Sequence, residues 1–275
     1  AVFSFWPMVQ AFITSFTTGA GVNQKMADPI FYNYTRMFAD RTFLRSVGNT
    51  FLYLAIEVPV MLVLAILLAQ LLNNRDLKCR GLFRTMVFLP CATSLVSYAL
   101  IFKSLFALDG LINTIFVNLG ILETNYNFLG NTGSARAIII IALIWRWTGY
   151  NMVFYLAGLQ NIEYSVYEAA KIDGANRFQQ IWNVTLPGIA PIVVLMMILN
   201  LGNVLNAGFE QIFNLYNPLV YETADIIDTF VYRISLVEAN YSLGTAVGLL
   251  KSVVSFILIV TSYKIANKYS DYTVF

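Results

Sequence analysis

Six long apolar segments constrain this chain more than any other feature. They cover about residues 1–16, 49–72, 86–106, 136–158, 187–208 and 243–266. A helix of roughly 20 apolar residues matches the hydrocarbon thickness of a bilayer. In lipid every backbone N–H and C=O must be satisfied within the protein, which leaves helices or a closed barrel. These runs are too long and too continuously apolar for barrel strands, which alternate. Composition agrees: 58% of residues are hydrophobic and 12% charged, against about 25% charged in soluble domains. The expectation is an all-α polytopic membrane protein with about six transmembrane helices, forming one membrane domain over residues 1–275. Pro7, Pro59, Pro90, Pro187 and Pro191 fall in or beside the segments, where proline kinks a helix. The first segment lacks an initiator Met, a basic flank and a cleavage pattern. It reads as a helix whose first residues are missing rather than a signal peptide.

Several chemistries find no support. There is no His, so the commonest general base and metal ligand is missing. No catalytic residue and no metal site are expected. Cys79 and Cys91 would lie about 18 Å apart on one helix, too far for a disulfide. No Gly-x-x-x-x-Gly-Lys-Ser/Thr run is present to cradle a nucleotide phosphate. No nucleic-acid partner is expected.

Basic residues near helix ends set orientation. With the first segment running outward, the inner side carries Arg75, Lys78, Arg80, Arg84, Lys171, Arg177, Lys264 and Lys268. The outer side carries Lys25, Arg36, Arg41, Arg45, Arg136 and Arg233. This modest bias puts the polar loop at about 161–186 in the cytoplasm.

That loop reads as two short helices. Ser165 is expected to cap the first, which would run to Ile172. Gly174 supplies a break, because glycine accepts left-handed backbone angles at low cost. The second would cover Arg177 to Trp182, and Pro187 would mark the start of the fifth segment. Glu168 and Ile172, four apart, share a face.

Three charges interrupt the apolar segments: Glu57, Arg146 and Lys251. Each lies about 12–15 Å deep by helical rise. A charge in lipid is costly and turns toward a partner or a cavity. Two readings stay open, an ion pair of Glu57 with Arg146 or Lys251, and a polar lining for a hydroxyl-rich solute.

The polar loop contains Tyr167-Glu168-Ala169-Ala170-Lys171-Ile172-Asp173-Gly174-Ala175, closed by Thr185-Leu186-Pro187. Further pieces are Arg84…Leu89-Pro90, Gly110-x-x-Asn113, Trp147-Thr148-Gly149-Tyr150-Asn151-Met152 and Leu156-Ala157-Gly158-Leu159-Gln160. In this order and spacing the set resembles the permease subunits of carbohydrate-type bacterial ABC importers, maltose-permease-like, over about residues 40–200. Phe209 to Asn214 and Val247 to Val254 resemble the branch that imports oligosaccharides and polysaccharide fragments. One departure is Glu163, where the family often has proline.

The resemblance implies a multi-pass subunit of the bacterial cytoplasmic membrane that is not itself an enzyme. Its implied partners are a homologous second permease subunit, two ATPase subunits and an extracytoplasmic solute-binding protein, with the lipid bilayer and a saccharide substrate. ATP and magnesium would be bound by the partner subunits, and no cofactor is expected in this chain. Tyr167, Glu168, Ala169, Ala170, Asp173 and Gly174 would form the coupling element that meets an ATPase subunit. Small residues permit close packing, and a carboxylate can meet an arginine. Asp173 fits better as a support of the turn than as a contact.

A saccharide path needs flat apolar faces and directional polar groups. Trp147, Tyr150 and Asn151 offer these in the fourth segment, and Asn203, Asn206, Phe209, Glu210 and Gln211 offer them at the outer end of the fifth. The plainer reading of the aromatic residues is anchoring at the membrane interface. A permease for a small disaccharide or glycerol-phosphate is the alternative within the family. An ion-driven secondary transporter is the alternative outside it, although the inverted repeats of such carriers are not evident.

Overall fold

The computed structural model describes residues 2–19, 24–74, 77–203 and 208–270. The described residues contain fourteen α-helices, wide helical turns over Ile181–Thr185 and Arg233–Val237, a tight helical turn over Pro218–Val220, and one antiparallel pair of two-residue strands, Thr17–Thr18 with Lys25–Met26. Among the described residues, four helical stretches are long and apolar enough to span a bilayer. These are α3 (Arg41–Asn73), α7 (Thr132–Gln160), the stretch Arg177–Met197 that ends in α10 (Leu186–Asn203), and α14 (Tyr241–Ser270) over Tyr241–Lys264.

Where the sequence predicts six spans, the described residues contain four, or five if a broken pair is counted as one. That pair is α4 (Arg80–Ala92) and α5 (Leu95–Leu105). The chain leaves helical geometry at Thr93, whose backbone is extended (φ −76°, ψ 151°). Neither half is long enough alone. The first segment forms α1 (Val2–Ser15), with Pro7 inside it.

The chain divides into two compact units. The first contains Ala1–Leu54, Leu95–Ile139 and Gly202–Leu258. Its core joins Phe43 of α3 to Phe230 of α13 (Ile227–Tyr232), with ring centroids 5.7 Å apart. Buried Asn49 holds a polar seam there. Its amide donates to the carbonyls of Glu222 (3.1 Å) and Asp225 (3.0 Å), and its oxygen accepts from Arg136 Nη2 at 3.0 Å. The Tyr53 hydroxyl donates to the Thr223 carbonyl at 2.8 Å. The Gly110-x-x-Asn113 pattern acquires a reason here. A Cβ on Gly110 would collide with the carbonyls of Ser104 and Leu105. Asn113 donates to the carbonyls of Ala107 and Tyr126 and accepts from the Tyr126 N–H, pinning the loop after α6 (Leu111–Asn118).

The second unit contains Ala55–Ser94, Ile140–Leu201 and Ile259–Phe275. Its core sets Ala65, Ala69 and Leu72 of α3 against Met152, Tyr155, Leu156 and Leu159 of α7, and Ile189 and Met196 of α10. Small residues let helices approach where lipid supplies no hydrophobic drive. Gly149 shows this most directly, since any Cβ there would overlap the Val87 carbonyl of α4. The lipid-compatible surface is evident on α3, where Val63, Leu67 and Leu71 are exposed.

Candidate functional site

The polar loop forms α8 (Tyr164–Ile172) and α9 (Arg177–Gln180). Ser165 does not cap α8. The helix begins one residue earlier with Glu163 at its N-cap, and the Ser165 hydroxyl donates to Glu163 Oε2 at 3.3 Å. Glu163 adopts extended angles (φ −62°, ψ 135°), so a glutamate serves where the family often has proline.

Gly174 acts as expected, with φ +81°. The Ala175 N–H donates to the Ala170 carbonyl (2.9 Å) and the Gly174 N–H to Lys171 (3.1 Å). This paired pattern closes the helix by satisfying its orphan carbonyls. The backbone thus holds the turn, and the Asp173 carboxylate makes no hydrogen bond among the described residues. Asn176 caps α9, accepting from the Gln179 N–H while the Gln179 side chain accepts from the Asn176 N–H.

Pro187 does not begin a separate helix. One wide turn over Ile181–Thr185 carries α9 into α10, with the Leu186 N–H reaching back five residues to the Ile181 carbonyl. Such a turn relieves the clash a proline ring makes with the preceding turn. The loop is thereby fastened to a membrane-length helix, and Tyr167 is tied to it by its hydroxyl against Thr185 Oγ1 at 3.0 Å.

No residue of α8 is buried. Glu168 and Ala169 are exposed, and Ile172 is 86% exposed. An apolar side chain that open, one turn from a carboxylate, makes a face suited to another protein.

The intramembrane charges resolve differently from one another. Lys251 pairs with Asp228. Arg146 donates to the carbonyls of Pro90 (3.3 Å), Cys91 (3.2 Å) and Thr93 (3.4 Å). Glu57 is 8% exposed and makes no ion pair among the described residues. The pairing of Glu57 with Arg146 considered from the sequence is not formed among the described residues. Sequence reasoning missed both real partners, because Asp228 lies in a polar stretch and backbone carbonyls carry no sequence signal.

The proposed path residues divide between the two units, with Trp147, Tyr150 and Asn151 in the second and Asn203, Phe209, Glu210 and Gln211 in the first. In α7, Trp147 and Tyr150 form a half-buried edge-to-face pair (5.7 Å) that continues to Phe154 (5.0 Å). Asn151 is fully buried. Its amide donates to the Trp147 carbonyl (2.9 Å) and meets Met61 Sδ (3.2 Å), and its oxygen accepts from Asn200 (3.2 Å). Asn200 was not singled out, although an amide inside an apolar run is the signal that marks it. Asn203 ends α10, and Asn206 lies outside the described residues. Gly208 breaks the chain in a left-handed conformation (φ 66°) and starts α11 (Phe209–Leu215). Glu210 is exposed, whereas Gln211 is 1% exposed. Both polar atoms of the Gln211 amide lack a hydrogen-bond partner among the described residues.

Residues 35–272 match the model of the family described as the inner membrane component of binding-protein-dependent transport systems. The chain is 40% identical to a lactose transport system permease protein of Rhizobium radiobacter, over 78% of this chain and 71% of the relative. It is 35% identical to a polygalacturonan/rhamnogalacturonan transport system permease protein of Bacillus subtilis, over 87% and 74%. Its structure is similar to a chain of a bacterial ABC transporter involved in import of the acidic polysaccharide alginate, with a TM-score of 0.89 and 30% identity over 98% and 91%. Membrane-length helices, an exposed polar loop carried on one of them, and these likenesses lead to one assignment: the chain belongs to the family of inner membrane components of binding-protein-dependent transport systems, as a multi-pass permease of the ABC importer type.

Proposed function

We propose that this chain, as one permease domain, forms half of the translocation path of an ABC importer for an oligosaccharide or polysaccharide fragment. A homologous second permease supplies the other half, and an extracytoplasmic binding protein delivers the sugar. Two ATPase subunits bind ATP and magnesium and move the path through the coupling face of Tyr167, Glu168, Ala169 and Ala170, turned by Asp173 and Gly174. Alternating access then needs two states of the permease pair whose balance nucleotide shifts. The observation that carries coupling is the exposed Glu168–Ile172 face on a short helix joined by the turn at Gly174 to α9, which runs through the wide turn at 181–185 into a membrane span. The substrate class is supported by relatives named for polygalacturonan/rhamnogalacturonan and arabinooligosaccharides and by likeness to the alginate importer. The relative named for a lactose system, at 40% identity, favours a second reading, a disaccharide. The maltose-permease likeness of the motifs is one of family and not of substrate.

The test is ATPase activity of the reconstituted four-subunit complex with its binding protein. Stimulation by oligosaccharides supports the first reading. A response confined to disaccharides selects the second, and no response to any saccharide rejects both.

A further inference from the structure

Outside the coupling loop and the residues assigned to the path, the first unit contains a pocket of about 280 Å³ lined by Thr42, Arg45, Tyr221, Glu222, Asp225 and Arg233. Its charges are pre-matched. Arg45 Nη1 meets Glu222 Oε1 at 2.8 Å. Arg233 grips Asp225 with both arms, at 3.2 and 2.6 Å. The Arg233 guanidinium also lies over the Tyr221 ring, 4.9 Å from its centroid. Two arginines thus face two carboxylates and leave no net charge to draw an ion. What remains is a fixed set of donors and acceptors beside an aromatic ring, in a space just below the usual size of ligand pockets, about 300 Å³ and upward. That chemistry suits vicinal hydroxyls bridging a guanidinium and a carboxylate while the C–H face of the ring rests on Tyr221.

A line of aromatic rings leaves the pocket. Tyr221 lies 4.8 Å from Tyr216, Tyr216 5.9 Å from Phe213, and Phe213 5.5 Å from Phe209. Tyr232 flanks the last two at 4.8 and 5.8 Å. Each step is on the scale of one sugar residue, and the line is half-buried rather than sealed. It ends at Phe209, which belongs to the proposed path. Burial raises the Tyr216 phenol above its ordinary value, aided by Tyr221 and Asp225, so the hydroxyl along this line stays a neutral donor.

We infer that this pocket is a saccharide subsite that holds one residue of an incoming oligosaccharide, and that the Tyr216–Phe213–Phe209 line guides the chain onward to the path. This rests on the saccharide reading above. A docking surface for the binding protein would gain nothing from a ring-sized concavity with its charges already paired, nor from aromatic rings leading away from it.

The test uses the complete transporter in proteoliposomes with its binding protein. Uptake is measured over ladders of arabinooligosaccharides, oligogalacturonates and alginate oligomers from disaccharide to hexasaccharide. Tyr221→Leu should lower kcat/KM at least about tenfold for the longest transported member, the size of effect that loss of one good pocket contact gives. The disaccharide should be carried as by wild type, and binding-protein affinity should be unchanged. Arg45→Gln, at the exposed pair, should show the same dependence on length and gives the reading if Tyr221→Leu is not recovered in the membrane. Equal loss at every length with weaker binding-protein association would make the pocket a docking surface and overturn the inference. No change at any length, or a wild type confined to disaccharides, also overturns it. A wild type that carries no saccharide rejects the functional reading itself, an outcome distinct from failure of the variants alone.

Discussion

Arg146 donates its Nη1 to the Pro90 carbonyl at 3.3 Å, and this bond fastens the middle of α7 to the C-terminal turn of α4. The last carbonyls of a helix have no partner within it. They also carry the negative end of its dipole. Where α4 stops inside an apolar segment, water is not at hand to satisfy them, and a guanidinium from the neighbouring helix does so. Replacing Arg146 by Met should leave the carbonyls of Cys91 and Thr93 without its guanidinium, while the Pro90 carbonyl keeps only its bond from the Thr93 hydroxyl at 2.9 Å. The expected cost is about 3 kcal/mol, from the loss of charge-assisted bonds and the unmet acceptors. Complex yield and thermal stability in detergent measure it, and wild-type stability in that variant would show that the bonds are dispensable.

Lys251 and Asp228 form an ion pair with side chains 15% and 18% exposed. Breaking such a pair from one side leaves an uncompensated charge, roughly 3 kcal/mol. Lys251→Met and Asp228→Leu should each lower the midpoint of thermal unfolding. The double variant should recover most of the loss, because the charges leave together. Additive losses in the double-mutant cycle would count against coupling between the two residues.

Glu168 lies on the exposed face of α8. Glu168→Arg should leave membrane insertion and pairing with the second permease intact, while co-purification of the ATPase subunits falls and uptake is abolished. Normal uptake by this variant would remove Glu168 from the coupling face.

Gln211 is buried, and neither end of its amide has a hydrogen-bond partner among the described residues. A group in that state costs about 1–3 kcal/mol. Gln211→Met should therefore keep or raise stability. If the amide is held ready for a saccharide hydroxyl, the same variant should lose sugar uptake while nucleotide-driven ATPase activity persists. If stability and uptake fall together, Gln211 has a structural role.

The sequence determined the solvent, the helical class and the two short helices of the polar loop. Runs of apolar residues can be satisfied in lipid only as helices, and Gly174 after Lys171-Ile172-Asp173 marks a helix end because few other residues accept its backbone angles. These are local effects, readable over a few turns. Tertiary structure alone decided the rest. The span count changed because Thr93 leaves helical angles within an otherwise apolar run. Glu163 displaced Ser165 as the cap because capping depends on where the first turn closes, which the residue types alone do not fix. The partners of Arg146 and Lys251 are three carbonyls and a residue 23 positions away, and helical depth along the sequence cannot rank such candidates. The pocket beside Tyr221 joins α3 to residues more than 170 positions later. Only the folding of those stretches against each other gives its matched charges and aromatic line a single address.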